Sequence, residues 1–110
     1  MDVYNVKIMN AAENDLRDIV NYIAFELNAP TAALNMVRTI RKSIFKLKTD
    51  ALLRPFVRDE RLAAKGYRTL LIKNYMAFYI VNKKEKTVDV DRIIYSRRDW
   101  QNILLPQAEN

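Results

Sequence analysis

The residues best suited to chemistry stand near the end of the chain, where Arg92 is followed by Arg97, Arg98 and Asp99. Guanidinium groups keep their charge at every physiological pH and form paired hydrogen bonds to phosphate or carboxylate oxygens. Arg97 and Arg98 fit a phosphate-binding pair, and equally two solvated charges beside Asp99. Arg92 lies inside a β-type run, where pairing with Asp89, Asp91 or another acid is expected. The chain holds no histidine and no cysteine. Without histidine the commonest general base near neutral pH is missing, and so is the commonest zinc ligand. Any proton transfer must then fall to carboxylates, Tyr or Lys, with arginine supplying electrostatics. Disulfide and thiol chemistry are excluded, and no metal or cofactor is expected.

Residues that could act this way need a frame, and the frame is the last third of the chain. Three runs rich in β-branched and aromatic residues stand at 67–73, 75–82 and 87–95, separated by Asn74 and by residues 83–86. Short polar breaks between such runs predict an antiparallel meander. The middle run, YMAFYIV, is apolar on both alternating faces, so it must be covered on both sides. The basic cluster sits where the last run ends.

Upstream, residues 3–9 alternate loosely and predict a short first strand. Asn10 and Glu13 have the spacing of a capping box for a helix carrying Ala12, Leu16, Ile19, Val20, Ile23 and Leu27 on one stripe. Tyr22 and Phe25 lie on the flank of that stripe, as peripheral core or as a partner-binding patch. Pro30, in the break at 28–31, suits a first helical turn. After it a second helix carries Ala33, Met36, Val37, Ile40, Ile44 and Leu47. Its other face holds Arg38, Arg41, Lys42, Lys46 and Lys48. Two such helices on a short link make an antiparallel hairpin, which is the lid the middle strand requires. Residues 49–65 predict a folded connector with a helical turn near 59–64. Gly66 opens the sheet, residues 99–105 form a short helix, and a polar tail begins at Pro106. The expected fold is α+β, ordered β-α-α-β-β-β, with the hairpin packed on an antiparallel sheet of about four strands.

At 110 residues, with half of them hydrophobic and a single glycine, residues 1–110 form one ordered domain. Nineteen Lys and Arg against thirteen Asp and Glu leave a net charge of +6. That excess suits nucleic acid, a ribosome or an acidic peptide as partner, or serves solubility alone. No signal peptide or membrane span is legible, so a cytoplasmic location is expected.

Five stretches in this order resemble the RelE/ParE toxins of bacterial type II toxin–antitoxin modules: AxxDLRDIVxYI at 12–23, PxxAxxxV at 30–37, GYR at 66–68, NYxxFYxV at 74–81 and RIIYxRRD at 92–99. The long hairpin is closer to the ParE, plasmid-stabilisation, branch. The resemblance implies a growth-inhibiting toxin neutralised by a cognate antitoxin laid along hairpin and sheet, with Tyr22 and Phe25 as contacts. ParE-like members poison DNA gyrase by binding it. Arg97, Arg98 and Trp100 are then the candidate target surface, since Trp and Arg dominate binding hot spots; Trp100 also fits a residue that closes the core.

RelE-like members instead cleave mRNA on the ribosome. The arginine that follows their third-strand tyrosine falls here on Met76, and their C-terminal tyrosine falls near Ile103. A nuclease would have to be built from Arg68, Tyr95 and Arg97. The missing arginine favours gyrase binding over the endoribonuclease alternative. A relative that binds antitoxin without being toxic is the third reading.

Overall fold

The computed structural model describes residues 3–108, the side chains of 106–108 excepted. The ends of the expected N-terminal segment and polar tail, residues 1–2 and 109–110, lie outside the described residues. In chain order the elements are β1 (Asn5–Ile8), α1 (Asn10–Asn21), a π-helical turn (Tyr22–Glu26), α2 (Pro30–Phe45), α3 (Leu47–Asp50), a 3-10 turn (Ala51–Leu53), α4 (Glu60–Ala64), β2 (Tyr67–Ile72), β3 (Tyr75–Asn82), β4 (Thr87–Tyr95) and α5 (Trp100–Ala108). No helix among them is long and apolar enough to cross a membrane.

Among the described residues four strands form one sheet, in the order β1-β4-β3-β2. The meander β2-β3-β4 is antiparallel as expected, but β1 joins β4 in parallel. The physical reason is the helical crossover between β1 and β2, which leaves those two strands pointing the same way. A three-strand meander returns β4 to the direction of β2, so β1 and β4 must agree. Register shifts between Phe78 and Tyr79, because Phe78 faces Arg92 while Tyr79 faces Val90. Asp91 is the extra residue of this bulge.

Both faces of β3 are covered. The hairpin packs Leu16, Ile19, Ile40 and Ile44 against Ala77, Tyr79, Val88 and Val90. A second cluster on the other face brings Val57, Leu62 and Leu104 against Tyr67, Phe78 and Ile94. Asp59 caps α4, its carboxylate accepting from the backbone N–H groups of Arg61 (2.9 Å) and Leu62 (3.3 Å). The Tyr79 hydroxyl donates to the Ala51 carbonyl at 2.7 Å and ties the 3-10 turn to the sheet. Gly66 enters β2 at φ 93°, which costs a glycine little.

Several local expectations are corrected. The capping box does not form: Met9 is the N-cap of α1, no side chain caps it, and Asn10 is already helical. β2 stops at Ile72 because Lys73, at φ 55°, belongs to the tight turn into β3. The C-terminal helix runs to Ala108 instead of stopping before Pro106. The first helix is not regular to Leu27, since its last turn is a π turn. Widening the helix by one residue rotates the next side chains out of the stripe, so Leu27 is 55% exposed. Asn28 at φ 52° then reverses the chain, with the Ala29 N–H donating to the Ile23 carbonyl at 3.0 Å.

Candidate functional site

The π turn overhangs the end of the sheet where β3 begins and β4 stops. Between them lies an open cleft of about 760 Å³, lined among others by Asp18, Tyr22, Met36, Tyr75, Tyr95 and Arg98. The bulge at Asp91 helps set its floor: with the extra residue in β4, Tyr95 stands opposite Tyr75. Their rings meet edge-on, with centroids 5.9 Å apart and planes at 73°. The Tyr75 hydroxyl is pushed above the usual phenol range, first by burial and then by the neighbouring Tyr22 and Tyr95.

One wall of the cleft is fixed by Asp15. Its carboxylate accepts from Arg92 Nε (2.8 Å), Arg92 Nη2 (2.9 Å) and the Ile93 backbone N–H (2.8 Å). The pair holds the Arg92 guanidinium even more firmly protonated than usual, chiefly through the hydrogen bond to Asp15. The acid expected to pair with Arg92 is thus on the first helix, 77 residues away in sequence. Asp91 instead accepts from the Tyr67 hydroxyl at 2.7 Å on the bulge. Burial raises the Asp91 pKa, an effect Tyr67 partly offsets, and burial with the Asp91 bond raises that of Tyr67.

The sequence candidates separate into groups. Tyr22 and Phe25 are not peripheral core: they are 53% and 78% exposed, and at about 100° per residue they stand about 120° and 180° around the helix from Leu16, off the buried stripe. Tyr22, Tyr95 and Arg98 line the cleft together. Arg97 is exposed beside it, while Trp100 is half-buried against Phe78, ring centroids 5.5 Å apart. Trp100 therefore closes the second core. Arg68 lies elsewhere. It faces Tyr79 across the ladder while Tyr95 faces Tyr75, four residues apart along β3 or about 13 Å of strand. Its Nη1 donates to the Arg54 carbonyl at 2.7 Å and its guanidinium covers the Phe56 ring at 4.0 Å. Met76 is half-buried against the second core. Among the described residues no group of three or more carboxylates could hold a metal.

Tyr75 and Asp18 are cleft residues that sequence reasoning missed. Counting back from Asn82 opposite Thr87 would pair Tyr75 with Ile94, and only the bulge moves the partner to Tyr95.

A four-strand sheet of this order under a two-helix hairpin is the fold of ParE- and RelE-type toxins of type II toxin–antitoxin systems. A family profile described as "ParE toxin of type II toxin-antitoxin system, parDE" matches residues 6–100, and the chain belongs to that family. Among solved structures, a chain of the chromosomal ParDE toxin–antitoxin system from P. aeruginosa superposes with a TM-score of 0.70 at 24% identity, covering 84% of this chain and 96% of that one. A chain of the RelBE2 toxin–antitoxin complex from Mycobacterium tuberculosis gives 0.62 at 18% identity, covering 84% and 98%. At such identities the likeness is one of fold. No curated protein matches the sequence at a significant level.

Proposed function

We propose that this ParE-family toxin stops bacterial growth by binding DNA gyrase in the cytoplasm, without catalysis, and that a cognate antitoxin neutralises it. The observation that carries this reading is the placement of Arg68. A nuclease assembled from Arg68, Tyr95 and Arg97 needs its cations and its proton-transfer group around one phosphate. Arg68 is committed to the Arg54 carbonyl and the Phe56 ring. It stands about 13 Å of strand from the level of Tyr95. Met76 occupies the position where RelE-like enzymes carry a further arginine.

A binding surface needs no such convergence. Arg97 and Arg98 are exposed at the end of β4 and act as contact residues for the target, with Trp100 holding the segment in place. The antitoxin lays a segment along the hairpin tip, with Tyr22 and Phe25 as aromatic anchors and the cleft as the socket for an apolar side chain. An antitoxin partner accords with the two similar structures, both of which are toxin–antitoxin systems.

The test is expression in bacteria with translation and DNA topology followed side by side. Continued translation with blocked replication and DNA damage is the expected result. Arrested translation with mRNA cut inside reading frames, abolished by Arg97→Ala, would replace this reading with the endoribonuclease. Normal growth would leave an antitoxin-binding module.

A further inference from the structure

The net charge of the protein is concentrated on one helix. Residues 34–48 hold five of the nineteen Lys and Arg (Arg38, Arg41, Lys42, Lys46 and Lys48) and no Asp or Glu. The rest of the chain carries fourteen basic against thirteen acidic residues and is nearly neutral. All five side chains are exposed. At about 100° per residue, Arg38, Arg41, Lys42 and Phe45 form one stripe flanked by Lys46 and Lys48. The buried residues Ala33, Ile40, Ile44 and Leu47 lie on the opposite side. Lys46 keeps helical dihedrals, so the stripe continues from α2 into α3. Arg41 is engaged by Glu13 of α1 at 2.9 Å. Arg38, Lys42 and Lys46 have no carboxylate partner among the described residues, and the Lys48 ammonium lies 4.6 Å from the Phe45 ring centroid.

We infer that this outer face of α2 and α3 is a second binding surface, one that takes the phosphate backbone of duplex DNA. A stripe from 38 to 48 spans about 15 Å at 1.5 Å per residue. Duplex DNA presents roughly nine phosphate charges over that length, enough to engage Arg38, Lys42, Lys46 and Lys48. Single strands are bound by series of aromatic platforms on which successive bases stack, whereas this stripe offers the single ring of Phe45, with the Lys48 ammonium 4.6 Å from its centroid. Duplex RNA is held through 2′-hydroxyl contacts across its shallow groove. The one proton of the Thr49 hydroxyl, beside the stripe, already has the Lys46 carbonyl (3.4 Å) and Asp50 Oδ1 (3.2 Å) within reach as acceptors. The face is made for charge, and it reads no sequence.

The face is separate from the cleft. Met36 lines the cleft, and Arg38, two residues on, lies about 200° around the helix. A partner in the cleft therefore leaves the stripe open to DNA.

Purified full-length chain is titrated into a fluorescent DNA duplex of mixed sequence at several salt concentrations. Four phosphate contacts predict a slope of about −3.6 in log K against log salt, or a loss on the order of 100-fold between about 50 and 200 mM. The variant Arg38→Gln/Lys42→Gln/Lys46→Gln/Lys48→Gln should lose at least about 30-fold in affinity at low salt. The equal-charge control Arg58→Gln/Lys65→Gln/Lys83→Gln/Lys84→Gln should stay within about threefold of the parent if the contacts are local. All eight positions are exposed, so circular dichroism and melting should report intact folds. Equal losses in the two variants would overturn the inference, as would no binding by the parent chain. Tighter binding to single strands or to an RNA duplex would overturn the assignment to duplex DNA. The titration stands apart from toxicity, so a failure of gyrase inhibition and a failure of this surface are distinguishable.

Discussion

At Asp15 the first helix is held to the sheet by three hydrogen bonds, whereas two turns later, at Tyr22, its backbone widens and its aromatic side chains stand in solvent. The stem shows how a half-buried carboxylate is satisfied. Each oxygen of the carboxylate has a donor, one donor is charged, and the ring of contacts is closed. The tip shows the opposite arrangement, with large apolar surface left uncovered where the antitoxin is proposed to dock. The π turn adds to the difference, since the apolar stripe that ends in the core at Ile23 would otherwise have carried Leu27 there too.

This contrast can be broken at its two ends. The largest effect is expected at the tip: Tyr22→Asp together with Phe25→Asp should weaken the antitoxin complex by about 4 kcal/mol, as loss of two aromatic anchors does. Calorimetry would show it, and an unchanged dissociation constant would remove the tip as the docking site. Thermal unfolding of the free double variant should barely move, because both side chains are exposed. At the stem the pattern reverses. Asp15→Ala strands a half-buried guanidinium and should cost about 3 kcal/mol of stability. If denaturant unfolding shows less than about 1 kcal/mol, the clamp is an ordinary surface ion pair.

Smaller effects sharpen the picture of the sheet beneath. The Tyr79 phenol is pushed up to about 12, mainly by burial, against an ordinary value of 10.0. The folded chain therefore holds this proton more tightly than the unfolded chain does. Its contribution is full below pH 10 and is lost as pH rises through about 12. Tyr79→Phe should cost about 1–2 kcal/mol at neutral pH, by leaving the Ala51 carbonyl without its donor, and should flatten the alkaline loss of stability. A parallel downward shift of the whole pH curve would mean that Tyr79 does not titrate in that window. Gly66→Ala should cost about 1 kcal/mol from backbone strain alone. An added Cβ would meet only Ile80 Cγ2, at an ordinary 3.7 Å. A much larger loss would place a steric clash where the geometry has none.

The sequence announced what depends on period and punctuation. Two helical stripes, three β-runs and the turn residues between them are local patterns, and they survive in the folded chain. The helical turn expected near 59–64 is α4, and the structure adds that Asp59 caps it. What was not legible depends on distance or on a change of period. Asp15 and Arg92 are 77 residues apart, and nothing near either names the other. The parallel direction of β1 becomes legible only once the crossover is known. The π turn uses the same residue types as the α-helix before it, so the turning of Leu27 out of the stripe leaves no mark. Asn10 misled for a related reason: its spacing to Glu13 suits a cap, but the helix begins one residue earlier. Tyr22, Tyr95 and Arg98 stood out in the sequence, but for three separate roles and not as walls of one cleft. Tyr75 was hidden by the bulge at Asp91.

The pairing of β1 with β4 also bears on when the protein can exist as a toxin at all. Asn5 faces Thr87 and Ile8 faces Val90, so the first strand made waits for the last. Asp15 on α1 likewise waits for Arg92. Contacts of such long range slow folding, because chain ends must meet before any stabilisation is gained. A ribosome must synthesise the chain through β4 before the sheet can close. Nascent fragments therefore lack the sheet end on which the cleft is built, and the finished fold arrives late, after synthesis of residues 87–95, leaving an interval in which a partner already present can be waiting.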